Sequence, residues 1–192
     1  MAKLCIFGCQ NFQMEVQACL AAEAWPDVVA RAFPARCGRP PVQWEELRSL
    51  LPDDCSDVLI LGRACLAALG DPPADFPATR VLVQQQCFHL LEGATWVDQA
   101  ISDGGYLMSP GWLQNWQTHV AELGFADDTA AAFFQDFAKR LVLLDTGTND
   151  QAAGQLAQMQ AVVGLPVHRI GVGLDHLRLF LHRLVLEWRL AQ

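Results

Sequence analysis

The stretch Asp57-Val-Leu-Ile-Leu-Gly62 decides the class of fold. Four aliphatic residues follow one another without polar alternation, and glycine closes the run. That pattern reads as a short strand buried inside a mostly parallel sheet. Working outward, similar short runs occur at Leu4–Phe7, Asp27–Phe33, Arg80–Val83, Tyr106–Met108, Leu141–Leu144 and Val167–Val172. Between them lie segments with helical spacing: Met14–Ala24, Val42–Leu51, Leu66–Leu69, Phe88–Leu91, Thr95–Ser102, Trp112–Leu123, Asp127–Ala138 and Gln151–Val163. Asp127 or Asp128 is the expected cap of its helix, and Gly124 and Gly164 the expected stops. Strands alternating with helices predict an α/β fold, a mostly parallel sheet flanked by helices, with a long C-terminal helix. Ligands of such sheets sit at the carboxyl ends of the strands.

That last helix opens at Asp175. Leu174, Leu177, Leu181, Leu184, Trp188 and Ala191 follow at spacings of 3, 4, 3, 4 and 3, a heptad seam. Two readings stand side by side: a terminal helix packed on its own domain, or a homodimer through Leu177, Leu181, Leu184 and Trp188. The chain reaches Gln192 with no glycine or proline stop, so the second reading adds a connector to an output module. The expected division is an α/β ligand-binding domain over 1–174 and a connector helix over 175–192.

Composition excludes several classes. In 192 residues the apolar fraction is 52% and the charged fraction 18%, far from a disordered chain. Basic residues number 13 against 21 acidic, a net charge of −8 with no basic block, so no nucleic-acid partner is expected. No uncharged apolar run is long enough for a membrane span, and the N-terminus lacks the apolar stretch of a signal peptide. A cytoplasmic location follows, where thiols stay reduced; an odd count of seven cysteines also argues against a disulfide framework.

The cysteines are the most informative residues. Cys5, Cys19 and Cys55 fall within elements or before a strand, as core or incidental residues do. Cys9, Cys37, Cys65 and Cys87 fall at or just beyond four strand ends, and His89 is two residues past the last of them. On one sheet edge these five residues would make a metal site of soft donors, suited to a transition metal or a metal-containing cofactor. The absence of any Cys-x-x-Cys pair excludes a zinc ribbon or finger. A second candidate is a small polar ligand at Asp145, Thr146 and Thr148, which follow a strand and precede a helix, with Trp112 completing the set. One Asp145-Thr-Gly147 triplet before a helix does not make an aspartic protease, which needs two carboxylates in paired all-β lobes. Gly171-Val-Gly173 lacks the third glycine and the acidic partner of a dinucleotide fingerprint and reads as a tight turn.

The order of features resembles the family known as domain of unknown function 1638. The residues that carry the resemblance are Cys9, Cys37, Gly62-Arg-Ala-Cys65, Cys87-Phe-His-Leu-Leu-Glu-Gly93, Tyr106-Leu-Met-Ser-Pro-Gly-Trp-Leu113 and Leu144-Asp-Thr-Gly147, across residues 5–175. The resemblance implies a cytoplasmic protein of the kind found near corrinoid or methyl-transfer genes, or an input domain joined to a sensor kinase. Two departures bear on a metal site: Leu66 follows Cys65 where relatives repeat a glycine, and Cys37-Gly-Arg-Pro40 lacks the histidine of its counterpart. The functional expectation is a sensing domain for a small ligand, metal or cofactor that signals through a C-terminal dimer helix to an output module such as a histidine kinase. The alternative is a cofactor-handling or metal-dependent enzyme of corrinoid and methyl-transfer metabolism, with Cys65 or Cys87 as ligand or nucleophile.

Overall fold

A computed structural model describes residues 2–37, 39–122, 124 and 127–192. In chain order the elements are β1 (Leu4–Cys9), α1 (Gln13–Glu23), β2 (Val28–Phe33), α2 (Trp44–Leu50), β3 (Asp57–Gly62), β4 (Ala78–Val83), α3 (Ala94–Ser102), β5 (Gly105–Met108), α4 (Pro110–Gln114), α5 (Trp116–Glu122), α6 (Asp127–Phe137), β6 (Arg140–Asp145), α7 (Ala152–Val163), β7 (Val167–Gly171) and α8 (Asp175–Leu190). Single 3-10 turns occupy Gln10–Phe12, Ala64–Leu66 and Cys87–Leu90. The helix end expected at Leu123 lies outside the described residues, as do the side chains of Asp127 and Asp128, expected to cap α6.

Every strand pairing among the described residues is parallel, as the aliphatic runs predict. The strands make two sheets, ordered β2-β1-β3-β4 and β5-β6-β7. The chain divides into two compact units, Met1–Cys87 with His176–Gln192, and Phe88–Asp175. These bounds differ from a division at 174 and 175, because each half of the strand series forms its own sheet and α8 belongs with the first.

In the first unit, β1 is an inner strand of its sheet, with Cys5 beside Val29 of β2 and Val58 of β3. Side chains alternate between faces along a strand. Cys5, Phe7, Phe33, Val58 and Ile60 therefore meet Leu47 of α2, together with Leu66, Leu69 and Phe76, in one apolar core. Cys5 and Cys55 are joined as a disulfide with Cα atoms 5.9 Å apart, inside the range a disulfide requires. This corrects the expectation of seven unpaired thiols. Burial of Cys5 in the centre of β1 predicts a filler; the loop before β3 brings Cys55 back over the same face, which spacing along the chain does not reveal.

α8 docks within this unit. Leu177, Leu181, Leu184 and Val185 are buried within a single chain, and Trp188 is half-buried. The heptad seam is thus spent on the protein's own domain, which corrects its reading as a dimer interface: the 3.5-residue apolar period looks the same whether the groove it fills belongs to the same chain or another. Polar tethers hold the flanks. Glu23, at the end of α1, pairs with Arg178 and with His182 at 2.7 Å; Asp27 pairs with Arg189 at 2.6 Å; Arg80 of β4 pairs with Glu187 at 2.8 Å. Trp25 meets the His182 ring edge-on.

The second unit is built around β6, whose Leu141 and Leu143 join Met108, Leu113, Phe134, Met159 and Val163 in a separate core. The helix expected over Trp112–Leu123 is two helices. Ser109 caps α4 by accepting the Trp112 N–H at 3.1 Å, and Pro110 sits in its first turn, both start signals ahead of the expected start. Asn115, a weak helix former, leaves the helical region at φ −118° and ψ 23° and separates α4 from α5.

Candidate functional site

In the first sheet all four carboxyl ends lie on one edge, because all three pairings are parallel. Each strand is followed there by one cysteine: Cys9 ends β1, Cys37 follows β2, Cys65 follows β3 and Cys87 follows β4. The order β2-β1-β3-β4 sends the chain one way from β1 and the other way from β3. The crevice between those two strand ends is where open α/β sheets bind ligands, and Cys9 and Cys65 flank it. Cys9 and Cys65 also pack on the margin of the same apolar core.

Local packing fixes the two flanking thiols. Cys9 has extended backbone, and the Gln10–Phe12 turn begins directly after it, which brings the Asn11 backbone amide close enough to act on its thiol. Gly62 closes β3 where a Cβ would come within 2.7 Å of Leu66 and 3.2 Å of the Cys65 sulfur. Glycine there lets the Ala64–Leu66 turn fold tightly onto the strand end. The Cys65 carbonyl accepts the Val42 N–H at 2.9 Å, tying the β3 loop to the chain that enters α2.

The thiols sense one another. Burial pushes the Cys9 thiol well above its usual range; Asn11 opposes this and the charges of Cys37, Cys87 and Cys65 reinforce it. Cys87 is pushed up to about 12, by burial first and then by Cys65 and Cys37. Cys37, the exposed member, is raised by burial and by Cys65, against the opposing charges of Arg39 and Arg63. Grouped thiolates in a low-dielectric setting repel, so these thiols hold their protons, and a soft cation centre would displace them. Among the described residues no three His, Cys, Asp or Glu side chains stand close enough to share one metal ion. The four thiols are electrostatic neighbours without being a preformed coordination sphere.

His89 is occupied elsewhere: its Nε2 lies 3.0 Å from Asp98. The second candidate set lies in the second unit at the end of β6. Asp145 is buried, accepts the Gly147 N–H at 3.0 Å and pairs with Arg169 at 2.5 Å. Thr146 and Thr148 bond each other at 2.8 Å. Trp112 is a core residue, 5.4 Å from the Tyr106 ring and 5.3 Å from His119. The contacts seen at Asp145 and Trp112 shape a turn and fill a core. Sequence reasoning missed Asn11 and Glu15, both buried polar residues on the first crossover; polar residues where a strand passes into a helix are the signal that would have found them. It also missed a cleft of about 280 Å³ under the C-terminal half of α8, lined by Leu4, Leu59, Thr79, Leu184 and Trp188 at the amino ends of the strands.

A family model described as "Protein of unknown function (DUF1638)" matches residues 44–181, more than two thirds of the chain. The chain belongs to this family. The DUF1638 match includes Cys65, Cys87, Asp145 and the start of α8 as far as Leu181, and begins after Cys9 and Cys37. No curated protein and no solved structure matches it. Among the described residues of this DUF1638 chain, no helix is long and apolar enough to cross a membrane.

Proposed function

We propose that the first unit binds a thiophilic metal ion or a metal-containing cofactor at the carboxyl edge of its sheet, and that it serves as a cytoplasmic sensing domain. One observation carries this reading: four parallel strands each deliver a cysteine to the same edge, two of them at the crevice where such sheets take ligands. The sensing part is supported by α1, which starts beside Cys9 and ends at Glu23, the residue that holds α8 through Arg178 and His182. Occupancy that moves the start of α1 biases how α8 docks, provided the bound group favours one arrangement over the other. A homodimer through the seam residues is no part of the reading. The nucleophilic-enzyme alternative is opposed at Cys87 by its raised thiol, since the thiolate is the nucleophile.

The test is elemental analysis and visible absorption of protein purified anaerobically with no metal added. The expected result is close to one bound group per chain, lost in Cys65→Ser with Cys87→Ser while circular dichroism is unchanged. Substoichiometric metal and no chromophore in the unaltered protein rejects the binding reading. For sensing, hydrogen exchange across α8 with and without the bound group decides; identical protection rejects it.

A further inference from the structure

The same edge carries a charge pattern opposite to that of the whole chain. The protein has a net charge of −8, yet residues 34–43, 62–70 and 84–87, the stretches directly after β2, β3 and β4, contain no aspartate or glutamate; Asp71 and Asp75 come later in the β3–β4 connection. They contain Arg36, Arg39 and Arg63, with Gln84, Gln85 and Gln86 as further polar groups. Arg39 and Arg63 both act electrostatically on Cys37, and Arg63 also on Cys87, so guanidinium groups and thiols share one neighbourhood. Two buried donors there meet no acceptor. Arg36 reaches Glu46 at 2.7 Å, but its buried Nε meets no acceptor, and neither does the buried indole N–H of Trp44 at the start of α2. Trp44 packs on the same core as Cys9 and Cys65.

A site for a bare divalent cation supplies carboxylates or tightly gathered thiolates. Among the described residues no three ligating side chains converge on this edge, and the stretches directly after β2 and β3 bring arginines to it, while the carboxylate of Glu15 is buried on the first crossover. Resting on the reading of the edge as a binding site, we infer that its guest is an anion with a soft centre, larger than a single ion, which the thiols engage while Arg39 and Arg63 meet its negative charge. Metal–sulfide clusters and metal complexes with acidic arms share that chemistry.

Exposed Cys37 is the reporter. Its thiolate attacks a symmetrical disulfide, forms one mixed disulfide and releases one thiolate, while its proton passes to solvent. Rates are measured with a dianionic bis(nitrobenzoate) disulfide and with dicationic cystamine, each divided by the rate of neutral N-acetylcysteinamide, and the labelled residue is identified by mass spectrometry. At low salt the normalised rates favour the dianion by roughly tenfold or more, and the preference shrinks as salt is raised. Arg39→Gln with Arg63→Gln removes it. Equal normalised rates, or a preference for cystamine, overturn the inference, and the salt series on unaltered protein decides even where the double variant does not fold. Titration with cobalt(II) is the second arm: a one-to-one tetrahedral thiolate spectrum overturns the inference while leaving the metal-binding reading intact. Metal-free protein that still prefers the dianion does the reverse.

Discussion

Leu181→Ala separates the two readings of the heptad seam. Leu181 is fully buried within one chain, at the centre of the run Leu177, Leu181 and Leu184. Truncating a leucine at such a site removes its transfer free energy and leaves a cavity, together about 2.7–5.0 kcal/mol. With a urea slope of about 1–3 kcal/mol per molar, the midpoint falls by about 1–5 M. Leu186 lies on the same helix but is 58% exposed, and its truncation changes stability by at most about 0.5 kcal/mol. Urea melts followed by tryptophan fluorescence and by circular dichroism, each at two protein concentrations tenfold apart, provide the assay. If the seam is intramolecular, the midpoint is independent of concentration and only Leu181→Ala moves it. A dimer seam would instead shift the stability of the unaltered protein by about 1.4 kcal/mol per tenfold dilution. That shift, or a cost below about 1 kcal/mol for Leu181→Ala, refutes the docking of α8 on its own unit.

Three further outcomes follow from the same contacts. Glu23 is held below the usual carboxylate range by hydrogen bonds from His182 and Arg178, Asp27 by Arg189, and Glu187 by Arg80. Because the folded values lie below the unfolded ones, this contribution is complete above the unfolded carboxylate range and is lost as pH falls through the depressed folded values. Protection of the α8 amides, measured against their intrinsic exchange rates, therefore falls on acidification below about pH 4.5, and Glu23→Gln with Asp27→Asn flattens the profile; an unchanged profile in that variant contradicts it. Asp145→Ala strips the Gly147 N–H and Arg169 of their acceptor and lowers the stability of the second unit by about 1–3 kcal/mol in thermal melts, whereas an unaltered melt would mean the pair does not hold the turn. Alkylation of native protein at pH 8 modifies Cys37, the exposed thiol, before the less accessible Cys9 and Cys87; thiol titration after unfolding without reductant counts five groups if the Cys5–Cys55 bond persists and seven if the compartment keeps it reduced.

How much of this was legible beforehand depends on the range of the interaction concerned. Asp57-Val-Leu-Ile-Leu-Gly62 and its counterparts set strand identity and the parallel class, because a strand covered on both faces must be apolar throughout. Cys9, Cys37, Cys65 and Cys87 were legible as strand-end residues for the same reason: once the strands are parallel, their carboxyl ends share an edge. Ser109 and Pro110 were present as start signals for α4, and the break at Asn115 was a local one.

The sequence by itself therefore determined the alternation of strands and helices, their parallel sense, the family and the edge on which the thiols fall, all consequences of local periodicity and chain direction. Tertiary structure alone decided that the strands divide into two sheets, that Cys55 returns to Cys5, that His89 turns to Asp98, and that the seam of α8 is filled by its own unit. Each of these is a choice of partner between residues far apart in the chain or on different elements. Periodicity specifies that an apolar stripe or a thiol will be covered, but which surface covers it depends on the packing of all the elements together.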